Sequence, residues 1–176
     1  KLAINNKYLN GNIVYLGILT IKDMKLIYKW FNSKEITSKI NKGYFPNTLN
    51  LQKKYFNKLT RSENDLQLSV NDKVSNLLIG TVGVHKIDWI HRTAELSIII
   101  NSNEKSKGAG TETIKLISNH CFKKLNLRKL KAGFWSNNIA SKKVFEKNNF
   151  KFEFKRLKEF YYKGKYLDSL HYCKFK

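Results

Sequence analysis

The stretch at 95–114, ELSIIINSNEKSKGAGTETI, limits the possible folds of this chain more than any other part of it. An apolar run of strand formers breaks into a polar loop and passes Gly108 and Gly110. It re-emerges as a pattern in which Ile114, Ile117, Cys121 and Leu125 share one helical face and Lys115, Asn119 and Lys123 the other. A strand feeding a helix through a glycine loop sets unpaired backbone N–H groups, and roughly half a positive charge, at the end of a sheet. Two readings of this junction stand on the residues alone. It is an anion site, with Gly108 and Gly110 giving the backbone access and Lys105 and Lys107 adding charge, or it is a plain strand-to-helix turn. The GxxxxGK[ST] phosphate loop is absent, and GxGxxG fails because Thr113 stands where the third glycine belongs.

The flanking segments supply the remaining elements. IVYLGIL reads as a first strand, and Thr20 with Asp23 makes a capping-box-like start for a helix carrying Met24, Ile27, Tyr28 and Phe31. After a turn from Gly43 to Pro46, the spacing of Leu51, Tyr55, Phe56 and Leu59 predicts a second helix. LQLSV, NLLIGTVGVHKI and AELSIII read as an antiparallel meander joined by NDKVS and DWIHRT. Beyond the long helix, KLKAGF is a strand, NIASKKVFEKNNF a helix capped by Asn138, and the closing segment a strand pair turning at Lys163 and Gly164. One proline, no linker and no repeat predict a single α/β (α+β) domain over 1–176, with 1–12 as a peripheral extension.

With 34 Lys and Arg against 13 Asp and Glu, the formal charge of +21 calls for an anionic partner or a solvated basic surface. Only four of the bases are arginines, at 61, 92, 128 and 156, which argues against a sequence-reading nucleic-acid binder. Cys121 and Cys173 have no CxxC spacing, and His120 beside Cys121 points a different way on a helix, so no metal site is expected. No apolar run approaches a membrane span and no leader pattern occurs, so a cytoplasmic protein, monomer or homodimer, is expected. The chain begins at Lys1 rather than Met, which leaves room for residues before it.

KSKGAG at 105–110 resembles the pyrophosphate loop of the GNAT superfamily of acyl-CoA N-acetyltransferases, with Lys105 where that family has Gln or Arg. NNIASKKVFEKNNF is similar to the second half of the family's coenzyme site, matched by Asn138, Ser141, Glu146, Lys147 and Phe150. The resemblance implies a central mixed, mostly antiparallel sheet of about seven strands flanked by about four helices, and acetyl-CoA as co-substrate with no metal. It carries coenzyme contacts onto Leu96, Ser97, Ile98, Lys105, Ser106, Lys107, Gly108, Ala109, Gly110, Thr111, Asn138, Ser141 and Lys147. A backbone N–H along Leu96–Ile98 would then meet the thioester oxygen as it gains charge. Two positions depart from the pattern. Asn149 replaces the glycine before the last Phe, and Phe145 replaces the tyrosine that protonates the leaving thiolate.

Acetyl transfer to an amine requires the neutral nitrogen, so a base is needed. The resemblance sets Glu95 beside the amine; the alternative is a surface carboxylate paired with a lysine. On an alternating strand Glu95, Ser97 and Ile99 share one face and Leu96, Ile98 and Ile100 the other. His85 and Asp88 are reserve bases. Trp30, Asn32, Tyr44 and His85 are candidates for the acceptor pocket, although a Trp or Phe at helical spacing is more often core. The C-terminal half resembles spermidine and ribosomal-protein alanine acetyltransferases, and KWFNSKEIT resembles amino-sugar-pathway members. The basic charge favours a small anionic amine, such as a nucleotide-linked amino sugar, over a polyamine. Acetylation of a protein N-terminus, a non-catalytic CoA-binding module and a basic nucleic-acid adaptor are the alternatives.

Overall fold

The period-two runs pair into one sheet because each carries an apolar face that only a covering helix can bury. The computed structural model describes residues 7–40, 44–101 and 107–176. In chain order the elements are β1 (Lys7–Asn10), β2 (Val14–Ile18), α1 (Met24–Trp30), α2 (Lys34–Thr37), α3 (Leu49–Leu59), β3 (Leu66–Asp72), β4 (Leu78–Asp88), β5 (Thr93–Ile100), α4 (Ala109–Lys123), β6 (Lys129–Trp135), α5 (Ile139–Lys147), β7 (Lys151–Tyr162) and β8 (Lys165–Phe175). The sheet order is β1-β2-β3-β4-β5-β6-β8-β7. Every neighbouring pair is antiparallel except β5 with β6.

One face of the sheet, built from Val14, Leu16, Leu68, Val70, Val82, Val84, Leu96, Leu130 and Phe134, packs under α4 and α5. Those helices contribute Ile114, Ile117, Cys121 and Phe145, all buried. Each fully buried aliphatic or aromatic side chain there contributes about 1.5–3 kcal/mol. The other face carries a smaller cluster in which Leu19, Met24, Ile27, Trp30 and Ile36 pack with Phe56 and Ile99. The capping expectation at α1 is met in one arm: the Asp23 carboxylate accepts from the Thr20 N–H at 2.7 Å and its hydroxyl at 2.8 Å.

Among the described residues there are eight strands and five helices, one of each beyond the sequence expectation. The extra strand lies within the segment expected to be peripheral, where Lys7–Asn10 pair with β2 at the edge of the sheet. The extra helix, α2, has only four residues. On α3 the expected side is buried only in part, with Phe56 packed against the second cluster. Leu51 and Tyr55 are exposed, while Gln52 is buried and its amide oxygen accepts from Asn47 Nδ2 at 2.9 Å.

Two devices hold the ends of the sheet. Glu112, in the first turn of α4, accepts the backbone N–H groups of Asn12, Ile13 and Val14 at 2.8, 2.7 and 2.8 Å. This clamps the β1–β2 connection onto the helix. At the far edge, Lys163 and Gly164 both take positive φ, 48° and 79°, the primed geometry that suits a two-residue hairpin. The resulting edge strand β7 is twelve residues long and almost wholly exposed. Its register shifts between Arg156 and Phe160, where Lys158 has φ 51° and donates its N–H to Asp168 at 2.9 Å.

Candidate active site

The site begins where strand pairing stops. β5 and β6 match Thr93 with Lys129, Ala94 with Leu130 and Glu95 with Lys131, and no pairing continues beyond. The strands part over Leu96–Ile100, and a cleft of about 350 Å³ lies against Ile98–Ile100, the start of α4 and the start of α5. Gly108 caps α4 with φ 92°, the left-handed region that favours glycine, and has no side chain to cap the helix. Among the described residues, the first-turn N–H groups of Ala109, Gly110 and Thr111 therefore have no capping side chain, which is the arrangement that binds anions. Gly110 has a second reason to be glycine: a Cβ there would lie 3.3 Å from Val144 Cγ2, so its absence lets α4 and α5 close up.

Several bonds brace this wall. Asn138 caps α5 by accepting from the Ser141 N–H at 3.2 Å, and its Nδ2 donates to the Lys39 carbonyl at 3.2 Å. Asn148 donates from the end of α5 to the Thr111 carbonyl at 3.0 Å. Asn149 takes φ 64°, the left-handed turn expected of it in place of glycine. Lys107 and Lys39 give the lining positive charge, with Glu35 opposing.

Of the residues assigned by resemblance to the coenzyme, Ile98, Lys107, Gly108, Ala109, Gly110, Thr111, Asn138 and Ser141 line this cleft. Lys105 and Ser106 lie outside the described residues. Leu96 is buried in the main core, and Lys147 is exposed at the end of α5, off the lining. Sequence reasoning missed the contribution of α2 and the residues after it, Glu35, Ile36, Lys39 and Ile40, because nothing local marks four residues as a helix. Phe145 is packed into the core, its ring stacked on Phe134 at 5.8 Å and edge-on to Phe150 at 5.0 Å.

Around Glu95, beyond the second cluster, the other face of β4 and β5 is polar. Glu95 holds Lys86 at 3.0 Å. Ser97 does not point its hydroxyl along the cleft: Oγ lies 2.8 Å from His85 Nε2. On the other side of the ring, His85 Nδ1 lies 3.3 Å from Asp65 Oδ1. Burial works to raise the Asp65 carboxyl, but hydrogen bonds from Ser62, the Lys86 N–H and His85 outweigh it and hold the group below its ordinary value. Asp88 is turned away, bound to the His91 N–H at 2.7 Å and its ring at 2.8 Å.

The residues expected to line an acceptor pocket separate. Trp30 is 5% exposed and belongs to the second core cluster rather than to a pocket. Asn32 is a structural clip, donating to the Tyr28 and Asn47 carbonyls at 2.9 and 3.0 Å and accepting the Asn47 N–H at 2.9 Å. Tyr44 is exposed. Among the described residues, no group of three or more His, Cys, Asp or Glu gathers to hold a metal, and no helix is long and apolar enough to cross a membrane.

Comparison with known proteins bears directly on this architecture. Residues 14–151 match the family model of the acetyltransferase (GNAT) domain. A spermidine N(1)-acetyltransferase of Escherichia coli K12 is 32% identical over 96 residues, 54% of this chain and 52% of that one, so the chain spans about half that relative's length. The Vibrio cholerae spermidine N(1)-acetyltransferase is 29% identical over 83% of each chain. A crystal structure of spermidine N-acetyltransferase from Vibrio cholerae, in complex with CoA and spermine, superposes with a TM-score of 0.85 at 25% identity, covering 94% of this chain and 96% of that one. The parted parallel strands, the uncapped glycine start of α4 and the matched span together mean that this chain belongs to the GNAT acetyltransferase family.

Proposed function

We propose that this chain moves the acetyl group of acetyl-CoA directly to a primary amine. The observation that carries the reading is the opening between β5 and β6 beyond Glu95 and Lys131, which leads to the uncapped start of α4. The residues present fit the coenzyme. Ala109, Gly110 and Thr111 would give N–H groups to its pyrophosphate, with charge from Lys107 and Lys39, and Ile98–Ile100 form an apolar wall for its thiol arm. Strand residues that β6 leaves unpaired would offer a backbone N–H to the thioester oxygen as charge develops on it.

In the reaction an N–C bond forms, the C–S bond breaks, and the sulfur leaves with the electron pair. With Phe145 at the family's acid position, the departing thiolate takes its proton from water or from a cleft hydroxyl, of which Ser141 and Thr111 are two.

For the acceptor, the named relatives favour a polyamine of the spermidine type. They give no support to the nucleotide-linked amino sugar that the sequence suggested. An anionic amine remains the second reading on one observation: the two carboxylates on the polar face, Glu95 and Asp65, are already engaged by Lys86 and His85. A polycation would have to displace those partners.

Thiol release from acetyl-CoA, with spermidine, a UDP-linked amino sugar and a ribosomal-protein N-terminal peptide as acceptors, tests the proposal. Turnover with spermidine supports the first reading, and turnover only with the anionic amine supports the second. Tight coenzyme binding with no release for any of a broad set of amines would overturn catalysis and leave a binding module.

A further inference from the structure

We infer that Ser97, His85 and Asp65 form the proton relay that strips the acceptor amine, the task the sequence assigned to Glu95. The inference rests on the acetyl-transfer reading of this site. Two strands and a loop bring the residues together: Ser97 is on β5, His85 on β4 and Asp65 on the α3–β3 loop. Ser97 lies two positions beyond Glu95, the last residue of β5 paired to β6, and so within the opened stretch where the thioester would lie. Across the β4–β5 ladder Ser97 is paired with Gly83, and His85 follows two residues on, on the same face.

Gly83 is what lets the imidazole reach. A Cβ at that position would collide with the His85 ring and come within 2.8 Å of Ser97 Oγ, so only glycine lets the ring fold back over it to its 2.8 Å contact. The ring is fixed from behind. Asp65 Oδ1 lies 3.3 Å from Nδ1 and also accepts the Lys86 N–H at 3.2 Å, while Oδ2 accepts the Ser62 hydroxyl at 2.8 Å. An ionised carboxylate only accepts, so in the neutral ring the proton sits on Nδ1 and Nε2 keeps its lone pair for the serine hydroxyl. Ser97 is exposed, and its oxygen retains lone pairs to receive an amine N–H. Glu95, by contrast, is held by Lys86 at 3.0 Å. The titratable and charged groups around His85 are Asp65 from the α3–β3 loop, Tyr55 of α3 within reach of Asp65, Lys86 beside it on β4, and Glu95 opposite on β5.

The proton count closes. The amine arrives as an ammonium and loses one proton to become a nucleophile and a second as the N–C bond forms. One ends on the CoA sulfur, which keeps the electron pair of the broken C–S bond. The other passes through the Ser97 hydroxyl to His85 Nε2 and from there to solvent. Ser97 is unchanged at the end of the cycle and forms no bond to the acetyl group.

Two measurements test the relay. The first needs no acceptor: in protein with 15N-labelled histidine rings, acetyl-CoA should shift the His85 Nε2 resonance, and the shift should vanish in Ser97→Ala. An unmoved resonance while coenzyme binds overturns the proposal. The second uses whichever amine turns over. His85→Gln should lower kcat about 10²-fold or more, leave KM for acetyl-CoA within a few-fold, and remove the acid limb of the kcat profile. Asp65→Asn should act in the same direction, with Asp65→Glu recovering part of the rate. A loss of kcat confined to Glu95→Gln, or acetyl found on Ser97 by mass spectrometry, would overturn the relay. Ring perturbation without turnover on any amine would sink the acetyl-transfer reading and leave the Ser97 geometry supported.

Discussion

Replacing Glu112 should destabilise the fold far more than a half-buried carboxylate in a first helical turn usually does. Its carboxylate receives the N–H groups of Asn12, Ile13 and Val14, and Lys73, bonded to the Gly11 carbonyl at 2.5 Å, lies close enough to add attraction. A hydrogen bond to a charged group contributes about 1.5–3 kcal/mol. The three donors share one charge at a part-buried site, so their contributions do not add in full, and solvent screens the Lys73 interaction. We therefore expect about 2–4 kcal/mol lost in Glu112→Ala and about half that in Glu112→Gln, which keeps one acceptor oxygen. At about 2–4 °C per kcal/mol for a chain of this size, Tm should fall by on the order of 10 °C in the alanine variant. The pH dependence has a definite sign. Burial is the largest influence and pushes the group up, but the N–H groups of Val14, Asn12 and Ile13 and the Lys73 charge together hold it below the ordinary glutamate value. A depressed folded-state value means the stabilisation is fully present above the unfolded-state value and is lost as pH falls through the folded one. Urea unfolding of wild type and both variants at neutral pH and in acid reads this directly. A gap under about 0.5 kcal/mol at pH 7, or one that does not narrow in acid, would refute the clamp.

Gly108→Val forces a β-branched residue into φ 92°, which strains the start of α4, and sets its Cβ 3.1 Å from Ile13 Cδ1, which must give way. Calorimetry should show CoA affinity falling at least about tenfold, roughly 1.4 kcal/mol, and an unchanged Kd would remove the anion loop from the site. Trp30→Ala should cost about 3–5 kcal/mol in chemical denaturation while leaving coenzyme affinity within a few-fold, since the indole fills the second core cluster; lost CoA binding with unchanged stability would contradict that placement. Both thiols should resist alkylation in the native protein, because burial pushes Cys121 up to about 12 and also raises Cys173. Labelling of Cys121 as fast as in urea would count against the packing of α4, and of Cys173 against the burial of β8.

Periodicity resolved what it is physically able to resolve. The long helix shows its face because Ile114, Ile117 and Cys121 recur at helical spacing on a stretch long enough to repeat, and the meander shows itself by its β-branched runs. Lys7–Asn10 and Lys34–Thr37 are too short to repeat anything, so an edge strand and a helix that lines the cleft went unseen. On α3 the reading followed the larger apolar side chains, yet Gln52 is buried because Asn47 satisfies its amide oxygen and Met24 Sδ meets its amide nitrogen. Much of the cleft lining was legible since the residues at the start of α4 and those at the start of α5 each form a short continuous run. The polar face was not, because Asp65, His85 and Ser97 meet only once the β4–β5 register is known. One local signal was available. A glycine two residues before a histidine on a strand is a place where a ring can lie flat over the backbone, and Gly83 with His85 is such a pair.

The length and exposure of β7 carry a consequence for handling the protein. An outer strand offers an unmatched row of donors and acceptors, and Phe152, Phe154, Leu157 and Tyr161 add greasy, accessible side chains to it. What opposes indiscriminate pairing is the kink at Lys158 together with Lys151, Lys155 and Arg156 on the same strand, in a chain of net charge +21. Colloidal behaviour is thus governed by repulsion with a reach of about 8–10 Å in physiological buffer. Concentrated salt or a polyanion removes that repulsion and leaves the aromatic rim exposed to its copies, so dilute, low-salt preparations should stay clear where crowded, high-salt ones turn cloudy.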